Sequence, residues 1–443
     1  MFSYFESRGG KYTETVFFGL QYLIKEYLTK PITVEDVEAA AAFLAAHGEP
    51  FNKEGWMYIA TELRGKLPIR IRAVPEGTVV PVHNVLMTVE CTDPKCFWVA
   101  SWLETMLVRL WYPITVATQS YHIRKTIYHY LQETADNPDA EIDFKLHDFG
   151  SRGVTTAEQA ALGGAAHLTS FLGSDTIQGI RLANEYYFCE MSGFSIPAAE
   201  HSTVSSWGSR GEIDFYRNFV QEYLYDRKCP IAACVSDTYD YYNVVENVWC
   251  GELHDMVKNS GGCLVIRPDS GDPVEVILRT LNIFRTKGLT TKNSKGYEVL
   301  PSYYRLIQGD GIDEKDVERI LNEMLINGFS ASNIAFGMGG GLLQKINRDT
   351  NKFAFKCSAA LRVMGDEQEW FDVKKDPITD KGKQSKAGRL DLIRNPSGEL
   401  ATKLIAYGAL EHPNSELETY FENGYIPYIT NLATIRKRVL GKY

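Results

Sequence analysis

Long apolar runs are missing from this sequence. No stretch reaches the roughly 18 residues that a membrane helix needs, so a membrane-spanning role is not expected. Met1-Phe-Ser-Tyr-Phe-Glu-Ser-Arg8 has neither the basic start nor the apolar middle of a secretory leader. A surplus of positive charge is missing too. Lys and Arg number 47 against 56 Asp and Glu, a formal net charge of −9. That balance excludes a general nucleic-acid or anionic-membrane surface, so any anionic ligand has to be held by a local cluster of Arg and Lys. None of the eight cysteines forms a Cys-x-x-Cys pair. Cys91 and Cys96 find no such pair to complete a zinc site. Reduced thiols and a cytoplasmic location are the expectation. Internal repeats and low-complexity segments are also absent.

What is present is an ordinary globular composition, 44% hydrophobic and 23% charged over 443 residues. That length suits two domains, or one large barrel with an added module. Tyr12 to Tyr27 is apolar at helical spacing, and Thr33-Val-Glu-Asp36 has the look of a capping box. Residues 67–92 change to a β-rich pattern broken by Pro and Gly. Trp98 to Tyr112 returns to helix, and the pattern continues past Pro113 to Tyr130. From about 144 onward, short apolar runs end in Gly, Asp or Ser clusters and helical segments follow. The runs are Phe144–Leu146, Ile231–Val235, Cys263–Ile266, Tyr304–Ile307, Ile334–Phe336 and Phe353–Phe355. Repeated strand–loop–helix order predicts parallel strands with crossover helices. The tail is rich in basic residues (Lys374, Lys375, Lys381, Lys383, Lys386 and Arg389) and is expected to fold back on the first module. The division expected is an α+β module from 1–140 with about 365–443, and an α/β barrel over 141–364.

The polar residues after these runs carry the chemistry, since that face of an α/β barrel holds the active site. Gly337, Gly339, Gly340 and Gly341 follow one run and open Leu342-Leu-Gln-Lys345. Glycine lets backbone N–H groups approach an anion, and a helix N-terminus adds a favourable dipole. A tight turn would use glycine as well. The loop has neither a Gly-Lys-Ser/Thr sequence nor a Gly-x-Gly-x-x-Gly fingerprint. Asp237, Asp269, Asp310 and Asp313 stand at run ends, where a carboxylate accepts from ribose hydroxyls, holds Mg²⁺ with a diphosphate, or caps a helix. Arg152, Arg267, Arg348 and Lys356 lie in or beside the loops and suit an anionic ligand. Phe149, between a strand and Gly150, suits either the core or stacking on a flat ring. In Ser195-Ile-Pro-Ala-Ala-Glu-His-Ser-Thr-Val204, His201 follows a run of small residues, a place for a structural or a catalytic histidine.

Several segments together resemble the nicotinamide phosphoribosyltransferase family. They are His147-Asp-Phe-Gly-Ser-Arg-Gly153, Gly173-Ser-Asp-Thr176, Pro197-Ala-Ala-Glu-His-Ser-Thr203, Val235-Ser-Asp-Thr-Tyr-Asp240, Ile266-Arg-Pro-Asp-Ser-Gly271, Gln308-Gly-Asp-Gly311, Ala335-Phe-Gly-Met-Gly-Gly-Gly-Leu-Leu-Gln344 and Phe355-Lys-Cys357. They come in the family's order and cover nearly the whole chain. The resemblance implies a type II phosphoribosyltransferase fold, an irregular α/β barrel with an α+β module built from both chain ends, working as a homodimer. It implies transfer of phosphoribosyl from phosphoribosyl pyrophosphate to nicotinamide, giving nicotinamide mononucleotide and pyrophosphate in NAD salvage. Mg²⁺ would assist, and ATP hydrolysis would be coupled through a phosphorylated histidine.

The roles implied follow residue by residue. Phe149 would stack on the pyridine ring with Arg267 at its other side or edge. Asp175 would accept from the carboxamide NH₂ and repel nicotinate. Asp269 and Asp310 would hold the ribose hydroxyls, Gly309 would contact substrate, and Gly339 and Gly340 would cradle the 5′-phosphate. Arg8, Arg152, Arg348, Lys356 and Lys375 would gather phosphate and pyrophosphate charge, some across the dimer interface. His201 would be the phosphorylated histidine, oriented by Glu200 and Asp237. The metal ligands are left open. Two departures go with the resemblance. Met338 stands in the glycine loop where a small residue is usual. Members also carry a further stretch before the segment that begins here at Met1, with a tyrosine that stacks on the base from the partner subunit. The chain is then expected to start late, to be truncated, or to use another aromatic. The alternatives kept beside this reading are a nicotinate phosphoribosyltransferase and a truncated, non-catalytic binding or regulatory homologue.

Overall fold

A computed structural model describes residues 1–379 and 384–441. Lys381 and Lys383 of the basic tail lie outside the described residues. Contacts divide the chain into two units. One comprises Met1–Thr118, Glu185–Cys189 and the chain from Asn347 onward; the other comprises Gln119–Asn184 and Glu190–Ile346.

The second unit is built on six parallel strands, in the order Gly173–Ser174, Leu146–Asp148, Ile334–Met338, Tyr304–Gln308, Cys263–Arg267 and Ile231–Val235. Their apolar, β-branched character fits strands covered on both faces. The two edge strands do not stay open. The segment 194–198 bridges them, with Gly173 paired to Phe194 and Ala198 paired to Ala233. Ser174 N donates to Phe194 O at 3.0 Å and Ala233 N donates to Pro197 O at 2.8 Å. Pro197 has no N–H to give, yet its carbonyl still serves the neighbouring strand. The result is a curled, irregular barrel whose two edges are bridged by this segment, so neither is left fully open. Its interior packs Ala233, Val265 and Ile307 with Phe149, Ile196, Ile231 and Ala335.

Helices follow the strands. Asp240, Asp272 and Asp313 each cap one, accepting from backbone N–H groups of the first turn. Asp313 therefore takes the capping role, one of the alternatives its position allowed. The run expected at Phe144–Leu146 lies later, at Leu146–Asp148, because Ile142–Phe144 makes a 3₁₀ turn.

The first unit holds a six-stranded antiparallel sheet. Its order is Glu367–Asp372, Phe353–Met364, Phe2–Ser7, Val85–Cys91, Ile69–Ala73 and Glu418–Glu422. Here the expectation for Phe353–Phe355 is corrected. It is no parallel barrel strand but part of a long strand paired antiparallel with Phe2–Ser7. The boundary expected near 365 accordingly falls before that strand, and the one expected at 140 falls inside the helix Trp111–Thr134.

Two helix expectations also change. Glu14–Val16 is a strand paired with Val79–Pro81, and helix begins only at Leu20. The Trp98–Tyr130 stretch is broken into short turns up to Leu110, with one long helix starting at Trp111. Pro113 sits in that helix's first turn, where its missing N–H costs nothing. The Thr33–Asp36 capping box is present. The tail supplies strands at Arg389–Arg394, Leu400–Ile405 and Glu418–Glu422 and a closing helix, Leu432–Val439, all in this unit.

Within the barrel unit, the helix Ala157–His167 touches the helix Ile177–Tyr186 through glycines. A Cβ on Gly179 would lie 2.5 Å from Gly164 Cα. Backbone cannot yield as a side-chain tip can, so Gly179→Ala is expected to destabilise the protein by about 1–3 kcal/mol. Urea denaturation of wild type and variant checks this; an unchanged midpoint would contradict the close approach.

Candidate active site

Each barrel strand releases its functional side chains at the same end. Phe149, Gly150 and Arg152 follow Leu146–Asp148, and Asp175 follows Gly173–Ser174. Asp237 comes after Ile231–Val235, Asp269 after Cys263–Arg267, Gly309 and Asp310 after Tyr304–Gln308, and Gly339 and Gly340 after Ile334–Met338. The closing segment 194–198 leads directly into Glu200 and His201. This is the C-terminal end of the strands, the face that carries chemistry in such barrels.

Phe149 is positioned from below. Its N–H donates to Met338 O at 3.0 Å. Its ring packs closely against backbone: a Cβ on Gly337 would sit 1.9 Å from Phe149 Cε2, so only glycine fits there. The Arg267 guanidinium stands 5.5 Å from the ring centre, within cation–π range. Asp148, just before it, is fully buried. Its Oδ1 accepts from Gly150 N at 2.7 Å, which shapes the turn that presents Phe149. Burial pushes the Asp148 carboxyl up to about 6.

Asp175 is a different kind of acid. Its Oδ1 accepts from His147 Nε2 at 2.9 Å and from the Ser195 hydroxyl. Burial alone would raise its pKa, but these two donors, with the nearby Arg267 charge, outweigh that and hold the carboxyl below its usual range. Asp175 is therefore a charged acceptor at neutral pH.

His201 is the first residue of the short helix His201–Ser205. Its Nε2 lies 2.8 Å from Asp237 Oδ1, and its Nδ1 lies 3.8 Å from Asp269 Oδ2. Asp237 is itself held, since its Oδ2 accepts from Asp269 N at 3.1 Å and from Ser270 Oγ at 2.6 Å. Asp269 accepts from Arg267 through Nε and Nη2. Glu200 differs from expectation. It precedes the helix, its hydrogen bonds run to Thr203 and Val204, and among the described residues none joins its carboxylate to His201. Asp269 occupies the second place beside the ring instead. Asp310 is exposed at the next strand end. Burial, then the negative charges of Asp269 and Asp237, raise its pKa. Met338 is buried, and its Cγ and Sδ lie against Gly341.

Sequence comparison decides the family. The family model for "Nicotinate phosphoribosyltransferase (NAPRTase) family" matches residues 144–423, and that for "Nicotinamide phosphoribosyltransferase, N-terminal domain" matches residues 1–71. The chain is 52% identical over 426 residues to the nicotinamide phosphoribosyltransferase of Xanthomonas campestris pv. campestris, covering 96% of this chain and 90% of that protein. The chain belongs to the nicotinate phosphoribosyltransferase family. It is also 32% identical to the nicotinamide phosphoribosyltransferase of Acinetobacter baylyi, over 96% of this chain and 88% of that one. Two solved structures share the fold at 15% identity. The nicotinate-nucleotide pyrophosphorylase of Pyrococcus furiosus gives a TM-score of 0.57, covering 100% of this chain and 88% of that one. Human nicotinic acid phosphoribosyltransferase gives 0.56, covering 100% and 89%. The fold is thus that of the type II phosphoribosyltransferases, and membership in the family makes the protein a pentosyltransferase enzyme.

The basic residues expected for this family's phosphates divide between the units. Arg152 is exposed on the turn after Phe149. Arg8, Arg348, Lys356 and Lys375 belong to the antiparallel unit. There Arg8 pairs with Glu6 at 3.1 Å, and its N–H donates to Lys352 O near the Arg348–Thr350 turn. Lys356 Nζ donates to Phe355 O at 2.7 Å, and Lys375 pairs through its backbone with Ser385. Among the described residues, no group of three or more His, Cys, Asp or Glu side chains gathers into a metal cage. No described helix is long and apolar enough to cross a membrane, and all eight cysteines are free.

Sequence reasoning gave no role to Asp148, His147, Ser195 or Ser270. All four sit inside motifs that were recognised, but His147, Ser195 and Ser270 find their partners far along the chain. Asp148 makes a direct test of the turn under Phe149. Its folded pKa lies above the unfolded value, so its contribution to stability is full below about pH 4 and is lost as pH rises through about 6. A rise of about two units corresponds to about 3 kcal/mol. Asp148→Asn does not titrate and keeps an acceptor for Gly150. Its stability relative to wild type is expected to improve by about that amount between pH 4 and pH 7. Urea unfolding at both pH values measures this, and a constant gap would contradict it.

Proposed function

We propose that this enzyme transfers phosphoribosyl from phosphoribosyl pyrophosphate to nicotinamide, releasing nicotinamide mononucleotide and pyrophosphate, as a step of NAD salvage. The observation that carries the base assignment is Asp175. An ionised carboxylate beside Phe149 accepts from a neutral carboxamide NH₂, whereas the carboxylate of nicotinate has nothing to donate and is repelled. The names of the relatives at 52% and 32% identity support the same base.

The pyridine ring stacks on Phe149. Arg267 closes its other side, drawing back from its present 5.5 Å to leave two van der Waals spacings of about 3.5 Å. The ring nitrogen attacks ribose C1 as the bond from C1 to the pyrophosphate oxygen breaks, through an oxocarbenium-like state. No covalent enzyme intermediate is needed. Catalysis rests on holding both reactants in line and on stabilising the changing charge. Asp269, Gly309 and Asp310 hold the ribose, and Gly339 and Gly340 the 5′-phosphate. Arg8, Arg152, Arg348, Lys356 and Lys375 take phosphate and pyrophosphate charge in a homodimer.

His201 couples ATP. A carboxylate only accepts, so the hydrogen bond to Asp237 puts the proton on Nε2 and leaves the Nδ1 lone pair free. Nδ1 attacks the γ-phosphorus, the bond to the bridging oxygen breaks, and ADP leaves; water later returns the phosphoryl group as phosphate. Magnesium fits as a companion of the diphosphate. It is commonly held by one or two carboxylates together with substrate phosphates. Asp310, exposed among like charges, would hold it and gain most from a cation. There it would neutralise phosphate charge.

Product analysis tests the reading. The purified chain is supplied with phosphoribosyl pyrophosphate, Mg²⁺, ATP and either base. Nicotinamide mononucleotide is expected, with nicotinate turned over about a hundredfold less efficiently. The histidine is expected to take an acid-labile label from γ-labelled ATP that His201→Ala lacks. Preference for nicotinate would favour the nicotinate enzyme, and no product from either base would favour a binding or regulatory protein.

A further inference from the structure

Asp175 owes its state to two neighbours that come from different parts of the barrel. His147 lies on the strand Leu146–Asp148, and Ser195 lies on the segment that closes the barrel. Both donate to the same oxygen, Oδ1. A carboxylate oxygen has two in-plane lone pairs, and here both are used. Among the described residues no hydrogen bond reaches Oδ2. The oxygen left over is therefore the one available to a ligand.

The geometry also decides which way His147 is protonated. A carboxylate accepts only, so Nε2 carries the hydrogen. The other ring nitrogen is pressed against Gly173, where a Cβ would meet Nδ1 at 2.6 Å. The ring leans on Phe149 at 5.1 Å between centres. The His147 side chain is only 13% exposed, so its direction is fixed by packing as well as by hydrogen bonding. His147 and Ser195 also line a cavity of about 720 Å³ that reaches Ile196, Val265 and Ile307 of the barrel interior.

We propose that His147 and Ser195 are positioning residues that set base specificity. They hold Asp175 ionised and fixed by one oxygen, leaving the other to accept from a carboxamide. This rests on the reading of Asp175 as the carboxamide acceptor. The chemistry gives the direction of failure. Without its two donors, Asp175 keeps the burial that disfavours charge and loses the bonds that favour it. A carboxyl that takes up a proton becomes a donor, and a donor accommodates nicotinate. Discrimination then falls because the wrong base improves relative to the right one, and not only because activity falls.

Steady-state kinetics with both bases on the full chain tests this. His147→Phe keeps a ring against Phe149 and removes the donor; His147→Gln keeps an N–H near the Nε2 position. Ser195→Ala and Ser195→Thr make the same contrast at the hydroxyl. The nicotinamide-to-nicotinate ratio of kcat/KM is expected to fall about tenfold in His147→Phe and in Ser195→Ala. The change on nicotinamide should lie mainly in KM. The ratio should stay within about threefold of wild type in His147→Gln and Ser195→Thr. Proportional losses on both bases, with the ratio unchanged, would overturn the inference and leave Asp175 as the sole determinant. So would a His147→Gln variant no more selective than His147→Phe. A wild type with no preference for nicotinamide would remove the Asp175 reading itself, and this inference with it.

Discussion

Barrel closure by the segment 194–198 is the constraint on which the site depends. Six parallel strands alone would leave two open edges, at Gly173–Ser174 and Ile231–Val235. One irregular stretch bridges both. In doing so it brings Ser195 to Asp175, and two residues beyond Ala198 it delivers Glu200 and His201 to the strand ends. Asp175 and His201, the residues we propose for base recognition and ATP coupling, are thus tied to the same piece of backbone. Any change that loosened this closure would disturb both at once.

The electrostatics follow a second rule: each acid is given a separate job by its surroundings. Asp148 is buried with a raised pKa and shapes a turn. Asp175 is half exposed and kept charged by two donors. Asp237 is almost wholly occupied, bonded to His201, Asp269 N and Ser270. Asp269 is matched by Arg267, while Asp310 is left among like charges. In a chain of net charge −9, the sugar phosphate we propose as substrate would need positive charge and backbone N–H groups to offset this cluster.

Much of this was legible in the sequence where the signal is local. The strands at Ile231–Val235, Cys263–Arg267, Tyr304–Gln308 and Ile334–Met338 announce themselves as short, largely apolar runs followed within two residues by Asp or Gly. The acids and glycines after them are candidates by position alone. What was hidden depends on distant partners. Phe2–Ser7 and Phe353–Met364 form one antiparallel pair from opposite ends of the chain, and no local period reveals it. The closing segment contains Pro197, which reads as a loop. The resemblance assigns Glu200 to His201, yet the second acid beside the ring is Asp269. The donors to Asp175 were visible as letters and invisible as partners, since His147 and Ser195 are brought to it by strand register.

The central claim is that an ionised Asp175 chooses a neutral carboxamide over a carboxylate. Isothermal titration of the wild-type chain with nicotinamide and with nicotinate at neutral pH measures that choice without turnover. The account predicts that nicotinamide binds at least about tenfold more tightly. Equal affinity, or tighter binding of nicotinate, would contradict it.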